Sequence, residues 1–303
     1  MPTDRRPNFF IVGAQKSGTS ALVGWLQQHP SVFMSFPKEP GYLAFGEAGY
    51  PFSDGYGRRA PASNWVISSE STYLDLFSTA SAEQTVIGEA STWYFSVSGV
   101  AQRIKHYSPD ARVLVILRNP ADRAYSAWCH ARRDDLEPCE QFSKALDMEQ
   151  ERGEVEFLLR YHRMGLYSEA LAEYQALFDP SSLLVLFYED LLGDEQTFWE
   201  GLCKFLAIES LDKAPLQRTL NRSGQPRSRF MQRMLNSYRV RAAVKKILPY
   251  RGATLIKEKL DNINLRRFPP LDPVNRNRLQ DYYRQDIELL ESLTGKGLGS
   301  WLT

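Results

Sequence analysis

Short apolar segments alternate along this chain with segments of helical periodicity. Residues 8–12 (NFFIV), Arg112–Leu117 (RVLVIL) and Leu183–Phe187 (LLVLF) are compact runs of branched and aromatic side chains. Such runs are typical of strands buried on both faces of a parallel sheet. A shorter strand is predicted at 85–88, and helices are predicted between and after the strands. Strands that alternate with helices predict an α/β fold around a central parallel sheet, with helices on both sides.

The bulk composition narrows the functional classes. Hydrophobic residues make up 43% and charged residues 24% of the 303 residues, as in an ordinary soluble enzyme. The formal net charge of +1 gives no global field that would attract nucleic acid or an acidic membrane, so an anion site must be built locally. Without repeats or an evident linker, the sequence predicts a single domain over residues 1–303.

The N-terminal segment and the cysteines give an expectation for the cellular compartment of the protein. The N-terminal apolar run stops at Gly13, which is too short for a signal peptide or a membrane span, so we expect a soluble, cytoplasmic protein. Cys129, Cys139 and Cys203 do not have the spacing of a zinc site. Reduced thiols are expected, although a Cys129–Cys139 bridge stays open for an exported protein.

A glycine-rich turn, GAQKSGTS, joins the first strand to the first helix. Gly13 and Gly18 have the spacing of the phosphate loop G-x-x-x-x-G-K-[ST], but the lysine lies inside the loop as Lys16. Backbone N–H groups and the helix N-terminus still favour an anion. The predicted phosphate-binding residues are Gln15, Lys16, Ser17, Gly18, Thr19 and Ser20. A tight turn without function is the alternative, and the lysine and hydroxyl groups disfavour it.

The second candidate segment is RVLVILRNPADRAYSAW. It places Arg118 at the end of a strand and Ser126 about two turns into the next helix. A phosphate at the carboxyl edge of the sheet could bind both side chains; an exposed arginine and a serine without function are the alternative. A nucleotide triphosphatase needs an acidic residue for Mg²⁺ at a neighbouring strand end. Because a cation stands at this strand end, we expect no metal requirement.

Together these two segments resemble the sulfotransferases that use 3′-phosphoadenosine 5′-phosphosulfate (PAPS). FFIVGAQKSGTSAL is similar to their 5′-phosphosulfate loop, and VLVILRNPADRAYSAW is similar to their 3′-phosphate segment. The resemblance is strongest to the heparan sulfate branch and its N-sulfotransferase domain. Supporting stretches are Lys38-Glu39, GEASTWYF at 88–95 and DYYRQDIELL at 281–290. It implies a P-loop-like three-layer fold and sulfuryl transfer to a hydroxyl or amine.

The resemblance also implies roles for single residues. Lys16 would neutralise the charge on the bridging oxygen of PAPS as the S–O bond breaks. Glu39 would be the general base, with Glu89 as the second candidate. The alternatives are a solvated loop carboxylate paired with Lys38 for Glu39 and a structural partner of Lys16 or an arginine for Glu89. His130, one turn beyond Ser126, has a catalytic or acceptor-binding role or else serves helix packing. Tyr188 would contact the nucleotide.

Two further residues of the nucleotide site, Arg227 and Ser228, are implied in a basic loop. The acceptor is expected to be a carbohydrate or glycolipid, but Gly41 and Ala90 depart from the heparan sulfate pattern where the acceptor binds. A P-loop kinase or nucleotide triphosphatase, and a nucleotide-binding scaffold without activity, are the competing functions.

Overall fold

The computed structural model describes residues 5–152, 155–211, 225–226, 265–266 and 268–303, and the positions of the implied Arg227 and Ser228 lie outside them. The strands are β1 (Phe9–Gly13), β2 (Val32–Met34), β3 (Val86–Ala90), β4 (Arg112–Leu117), β5 (Leu183–Phe187), β6 (Gln225–Pro226) and β7 (Leu265–Arg266). The helices are α1 (Thr19–Leu26), α2 (Tyr42–Phe45), α3 (Glu70–Asp75), α4 (Val100–Tyr107), α5 (Pro120–Arg133), α6 (Phe142–Met148), α7 (Ser168–Leu177), α8 (Tyr188–Gly193), α9 (Glu195–Leu206) and α10 (Pro273–Thr294).

Strands β1 to β5 form one parallel sheet in the order β2-β3-β1-β4-β5. Strand β1 lies in the middle, where Ile11 pairs with Ala90 of β3 and with Leu114 of β4. The chain first moves from β1 to the β2 edge and later crosses to β4 on the other side. The direction of the connections therefore reverses between β1 and β4, and open α/β sheets bind ligands at the carboxyl ends of the strands beside such a reversal.

The side chains of the sheet divide between two cores because they alternate along each strand. Phe9 and Ile11 face one core, which helices α1 and α9 cover. Phe10 and Val12 face the other core, which includes side chains of α4, α5, α7 and α10. The result is a sheet between two helical layers, which confirms the predicted three-layer α/β architecture.

The structure differs from the sequence prediction in three places. Strand β2 was missed because three residues carry little periodic signal. The predicted strand 85–88 is in fact β3, Val86–Ala90, so Glu89 lies inside the strand and not after it. The amphipathic pattern predicts a helix from Gly165 to Phe178, but α7 begins at Ser168, and the preceding Arg163–Gly165 forms a separate 3-10 turn. The three cysteines are free and buried, and the single-domain assignment stays a prediction.

We predict that Gly88→Ala destabilises the sheet. A Cβ at Gly88 would lie 2.5 Å from Met34 Sδ and 2.8 Å from Phe9 Cδ1, so the side chains of two neighbouring strands would have to shift. Overpacking of this kind costs about 1–3 kcal/mol. The midpoint of urea denaturation should fall accordingly. Gly24→Ala in α1 is the matched control, because its Cβ would meet nothing within 4 Å; an equal loss of stability in both variants would contradict the explanation.

Candidate active site

The glycine-rich turn crosses the carboxyl end of β1 and leads into α1. Gly18 has φ of 94° and caps the helix, and a Cβ there would lie 3.0 Å from Tyr188 Cδ2. A glycine is needed because of the left-handed backbone and because of the close tyrosine ring. The predicted nucleotide residue Tyr188 therefore packs directly against the predicted phosphate loop.

Lys16 lies in the middle of this loop, also with a positive φ, of 71°. Its Nζ donates a hydrogen bond of 2.9 Å to Nδ1 of His130 on α5. Burial, followed by the positive charge of Arg133, lowers the pKa of Lys16 to about 7. The structure thus brings together two residues that were predicted separately, and it leaves the ammonium group close to its titration point near neutral pH.

His130 has a second partner that the sequence analysis missed. Its Nε2 lies 3.0 Å from Oδ2 of Asp134, and Arg133 Nε lies 2.9 Å from the other carboxylate oxygen. Burial lowers the pKa of His130 to about 4, with Lys16 as the next cause. Burial opposes ionisation of Asp134, yet His130 and Arg133 hold the pKa of that carboxyl well below its usual range. The spacing of four residues on one helix was the signal that could have identified Asp134.

Arg118 follows β4, as predicted, and contacts two parts of the site. Its Nη1 donates to the carbonyl oxygen of Lys16 at 3.1 Å, and its guanidinium lies 4.8 Å above the centroid of the Tyr188 ring. Ser126 lies on α5, partly buried, one turn before His130. Strand β4 and helix α5 therefore place the arginine, the serine and the histidine on the side of the loop that faces α5.

Lys38 closes the opposite side of the loop. Its Nζ donates to Thr19 Oγ1 at 3.0 Å, to Ser20 Oγ at 3.3 Å and to Glu39 Oε1 at 2.9 Å. The sequence analysis named Lys38 as part of a supporting stretch and as an alternative partner of Glu39, but not as a contact of the loop hydroxyls. Its contacts with both loop hydroxyls add a third cation to the site, beside Lys16 and Arg118.

Glu39 is fixed by the carboxyl end of β3. Its backbone N–H donates to Ala90 O at 2.9 Å, and its carboxylate accepts from the N–H of Thr92 at 2.7 Å and from Thr92 Oγ1 at 3.1 Å. The residue has a positive φ of 63°. A partly buried, preorganised carboxylate with Lys38 as its neighbour thus lies beside the loop.

Glu89 occupies a different environment. Its side chain is fully buried in β3, where it accepts from Tyr73 OH at 2.7 Å and from Ser91 Oγ at 2.9 Å. Burial raises the pKa of Glu89 to about 7. Ser91 Oγ in turn accepts from the N–H of Gly41 at 3.1 Å. Glu89 therefore belongs to a buried network beneath the segment that carries Glu39.

Two loop residues carry buried polar atoms without a hydrogen-bond partner, Oε1 of Gln15 and Oγ of Ser17. Buried polar groups are normally paired, so such atoms in a loop call for an explanation. A hydroxyl donor next to the first N–H groups of α1 fits an anionic ligand. The side-chain amide of Gln15 also fits an anionic ligand, because rotation of the amide turns its NH₂ group toward the anion.

Two general features complete the description. Among the residues that the structure describes, no group of three or more His, Cys, Asp or Glu side chains is arranged to hold a metal ion. Nor does any helix in the described part of the chain have the length and apolar character needed to cross a membrane.

The chain is similar to known sulfotransferases in sequence and in structure. It is 26% identical over 307 residues to the mouse bifunctional heparan sulfate N-deacetylase/N-sulfotransferase 4, with 99% of this chain and 31% of that protein covered. For the human bifunctional heparan sulfate N-deacetylase/N-sulfotransferase 2 the identity is 27%, with the same coverage. The chain therefore spans about a third of the length of these relatives.

The comparison of structures agrees. A sulfotransferase from Alicyclobacillus acidocaldarius is superposed with a TM-score of 0.73 and 27% identity, covering 99% of this chain and 100% of that one. A mouse sulfotransferase in complex with PAP shares the fold, with a TM-score of 0.50 and 15% identity over 96% of this chain and 89% of that one. The profile described as "Sulfotransferase family" matches residues 7–213. Since that match covers more than half of the sequence, the chain belongs to the sulfotransferase family.

Proposed function

We propose that this chain uses PAPS as its donor and moves the sulfuryl group to a hydroxyl or amine of a carbohydrate or glycolipid. The observation that carries the proposal is the set of three cations around one phosphate-type loop. Lys16 lies within the loop, Lys38 binds the hydroxyls of Thr19 and Ser20, and Arg118 binds the loop backbone. The unpaired Ser17 hydroxyl adds a donor for the same anion.

The nature of these charges favours PAPS over a nucleotide triphosphate with Mg²⁺. In a P-loop kinase, an acidic side chain near the strand end holds the metal that neutralises the phosphates. Here fixed ammonium and guanidinium groups supply that neutralisation. The 26–27% identity to heparan sulfate N-sulfotransferases supports a glycan acceptor and an amine or hydroxyl as the nucleophile.

Sulfuryl transfer needs little covalent chemistry from the protein. The acceptor oxygen or nitrogen attacks sulfur in line, the bond from sulfur to the 5′-phosphate oxygen breaks, and the acceptor proton passes to a base. Positioning and charge stabilisation then supply most of the rate. Lys16 is suited to the negative charge that grows on the leaving oxygen, whereas Arg118 and Ser126 are suited to a phosphate whose charge does not change.

Glu39 is the better candidate for the base. Its carboxylate is partly exposed at the loop and can meet an acceptor, whereas that of Glu89 is fully buried. Moreover, Tyr73 and Ser91 already donate to Glu89. We infer that Glu89 shapes the segment that carries Glu39 and that Glu39 takes the proton.

The direct test is transfer of labelled sulfate from PAPS to a panel of glycans, glycolipids and phenols. We expect transfer to a glycan or glycolipid and no loss of PAPS affinity in the presence of a chelator, because the three cations neutralise the phosphosulfate. Isothermal titration calorimetry with and without Mg²⁺ measures the affinity, with PAP (adenosine 3′,5′-bisphosphate, the product left when PAPS loses its sulfuryl group) as the ligand. Strict dependence on Mg²⁺, or preferential binding of ATP with Mg²⁺, would favour the kinase alternative.

The roles of the two loop cations can be separated. Lys16→Ala should lower kcat by about 10²–10³-fold, as for loss of one donor to a developing negative charge. Arg118→Ala should instead raise the Kd for PAP by about 10–100-fold, because an unchanging phosphate is bound equally in ground and transition states. Steady-state kinetics and calorimetry measure both. Arg112→Ala, at the other end of β4, is the matched arginine control and should leave the Kd unchanged. A pure and equal loss of affinity in the Lys16 and Arg118 variants would contradict the assigned roles.

The base assignment predicts different losses for the two carboxylates. Glu39→Gln should retain PAP affinity and thermal stability while kcat falls by about 10²–10⁴-fold, the usual cost of a lost general base. Glu89→Gln should mainly lower the melting temperature, because an amide N–H₂ replaces an acceptor of two buried hydrogen bonds. Glu47→Gln, an exposed neighbour, is the control. Near-native turnover of Glu39→Gln beside an inactive Glu89→Gln that still binds PAP would assign the base to Glu89.

A further inference from the structure

Lys16, His130 and Asp134 form a continuous chain of hydrogen bonds from the phosphate loop to the end of α5. Lys16 Nζ is 2.9 Å from His130 Nδ1, and His130 Nε2 is 3.0 Å from Asp134 Oδ2. The histidine thus bridges a cation of the loop and a carboxylate that has no contact with the loop in the described hydrogen bonds. Within the described hydrogen bonds, Asp134 is linked to the loop through His130, and its negative charge also acts on Lys16.

The donors and acceptors in this chain can be placed on chemical grounds. An ionised carboxylate only accepts hydrogen bonds, so the ring N–H that faces Asp134 must be that of Nε2. A neutral imidazole then has its lone pair on Nδ1, which is the atom that accepts from the Lys16 ammonium group. When Lys16 is an ammonium group, the opposite tautomer would turn an N–H toward its N–H groups and lose both hydrogen bonds.

Asp134 is itself held in place. Arg133 binds it through Nε at 2.9 Å to Oδ1 and through Nη2 at 3.3 Å to Oδ2. The backbone N–H of Asp134 donates to His130 O at 3.0 Å. Besides Asp134, the charged groups that act on Lys16 are Arg133, Arg118 and Lys38. Three cations thus repel the Lys16 ammonium, and the neutral His130 Nδ1 is its described hydrogen-bond acceptor.

We propose that Asp134 is a positioning residue that fixes the Nε2–H tautomer of His130 and, through it, the resting place of the Lys16 ammonium group. In the absence of the sulfuryl donor, the Lys16 ammonium group stays hydrogen-bonded to His130. When the anionic sulfuryl donor binds, the ammonium group moves toward the leaving oxygen, and His130 Nδ1 is left with a free lone pair beside the loop. The part that concerns turnover rests on the proposed sulfotransferase function, whereas the tautomer and the Lys16–His130 bond do not.

The first experiment measures the tautomer in the unliganded protein. Two-bond ¹H–¹⁵N correlation spectra distinguish Nε2–H from Nδ1–H imidazoles, and the His130→Asn spectrum identifies the signal of His130. We expect the Nε2–H tautomer in the wild type and a change toward Nδ1–H in D134N, because the amide can donate where the carboxylate could only accept. D134E retains an acceptor and should restore Nε2–H.

The matched control is D135N, which removes the same charge one residue later. Asp135 pairs with Arg58 at 3.4 Å, and its positive φ of 59° is one that asparagine accepts. We expect D135N to keep the wild-type tautomer. An Nε2–H signal in D134N, or the same change in D134N and D135N, would overturn the proposal whether or not the protein transfers sulfate.

The second experiment asks whether Asp134 acts through His130. We expect D134N to lower kcat by about 10–100-fold, as is usual when a supporting partner of a functional histidine is lost, with the Kd for PAP nearly unchanged. In the H130N background, D134N should lower kcat much less than in the wild type, because the residue it orients is gone and only the charge of Asp134 still acts on Lys16. If D134N lowered kcat by the same factor in H130N as in the wild type, the proposal would be overturned. If D134N fails to fold, the comparison of D134E with wild type in the same two measurements decides the matter, with an altered tautomer counting against it.

Discussion

The fold holds several cationic side chains close together around the phosphate loop, and their mutual repulsion determines which ligand the site favours. Arg133, Arg118 and Lys38 all lower the pKa of Lys16, which shows that their charges act on the same ammonium group. Such an arrangement is costly without an anion and becomes favourable when one binds. The loop therefore favours a ligand with a high negative charge. In the unliganded protein, Asp134 and Glu39 offset part of the repulsion from the two flanks of the loop.

The sheet makes this crowding possible. Parallel strands bring their carboxyl ends to one edge, and the central position of β1 places the loop between the ends of β3 and β4. Arg118 extends β4, while the backbone of Glu39 is bonded to the end of β3. The backbone that carries the cations and the carboxylate is thus held by the sheet, which limits how far their charged groups can move apart.

Much of this could be predicted from local patterns. The strand runs 8–12 and Arg112–Leu117 and the glycine spacing of the loop are contiguous signals, and they located Lys16 and Arg118 at strand ends. Glu89 was misplaced relative to its strand because one residue at the boundary decides whether a side chain is buried or at the edge. Asp134 and Lys38 were missed since their roles depend on contacts with His130 and with Thr19 and Ser20, which sequence spacing alone does not reveal.

The two glutamates show how the environment separates residues of equal chemistry. Glu89 is fully enclosed, and burial raises its pKa to about 7, so part of the population is protonated near neutral pH. Glu39 has the Lys38 ammonium group at 2.9 Å and the backbone N–H of Thr92 at 2.7 Å, and its carboxylate stays partly exposed. The proposed base must be within reach of an acceptor, and of these two carboxylates that of Glu39 is the exposed one. The buried network of Glu89, Ser91 and Gly41 lies under the same segment, so the enclosed carboxylate still helps to determine where the exposed one lies.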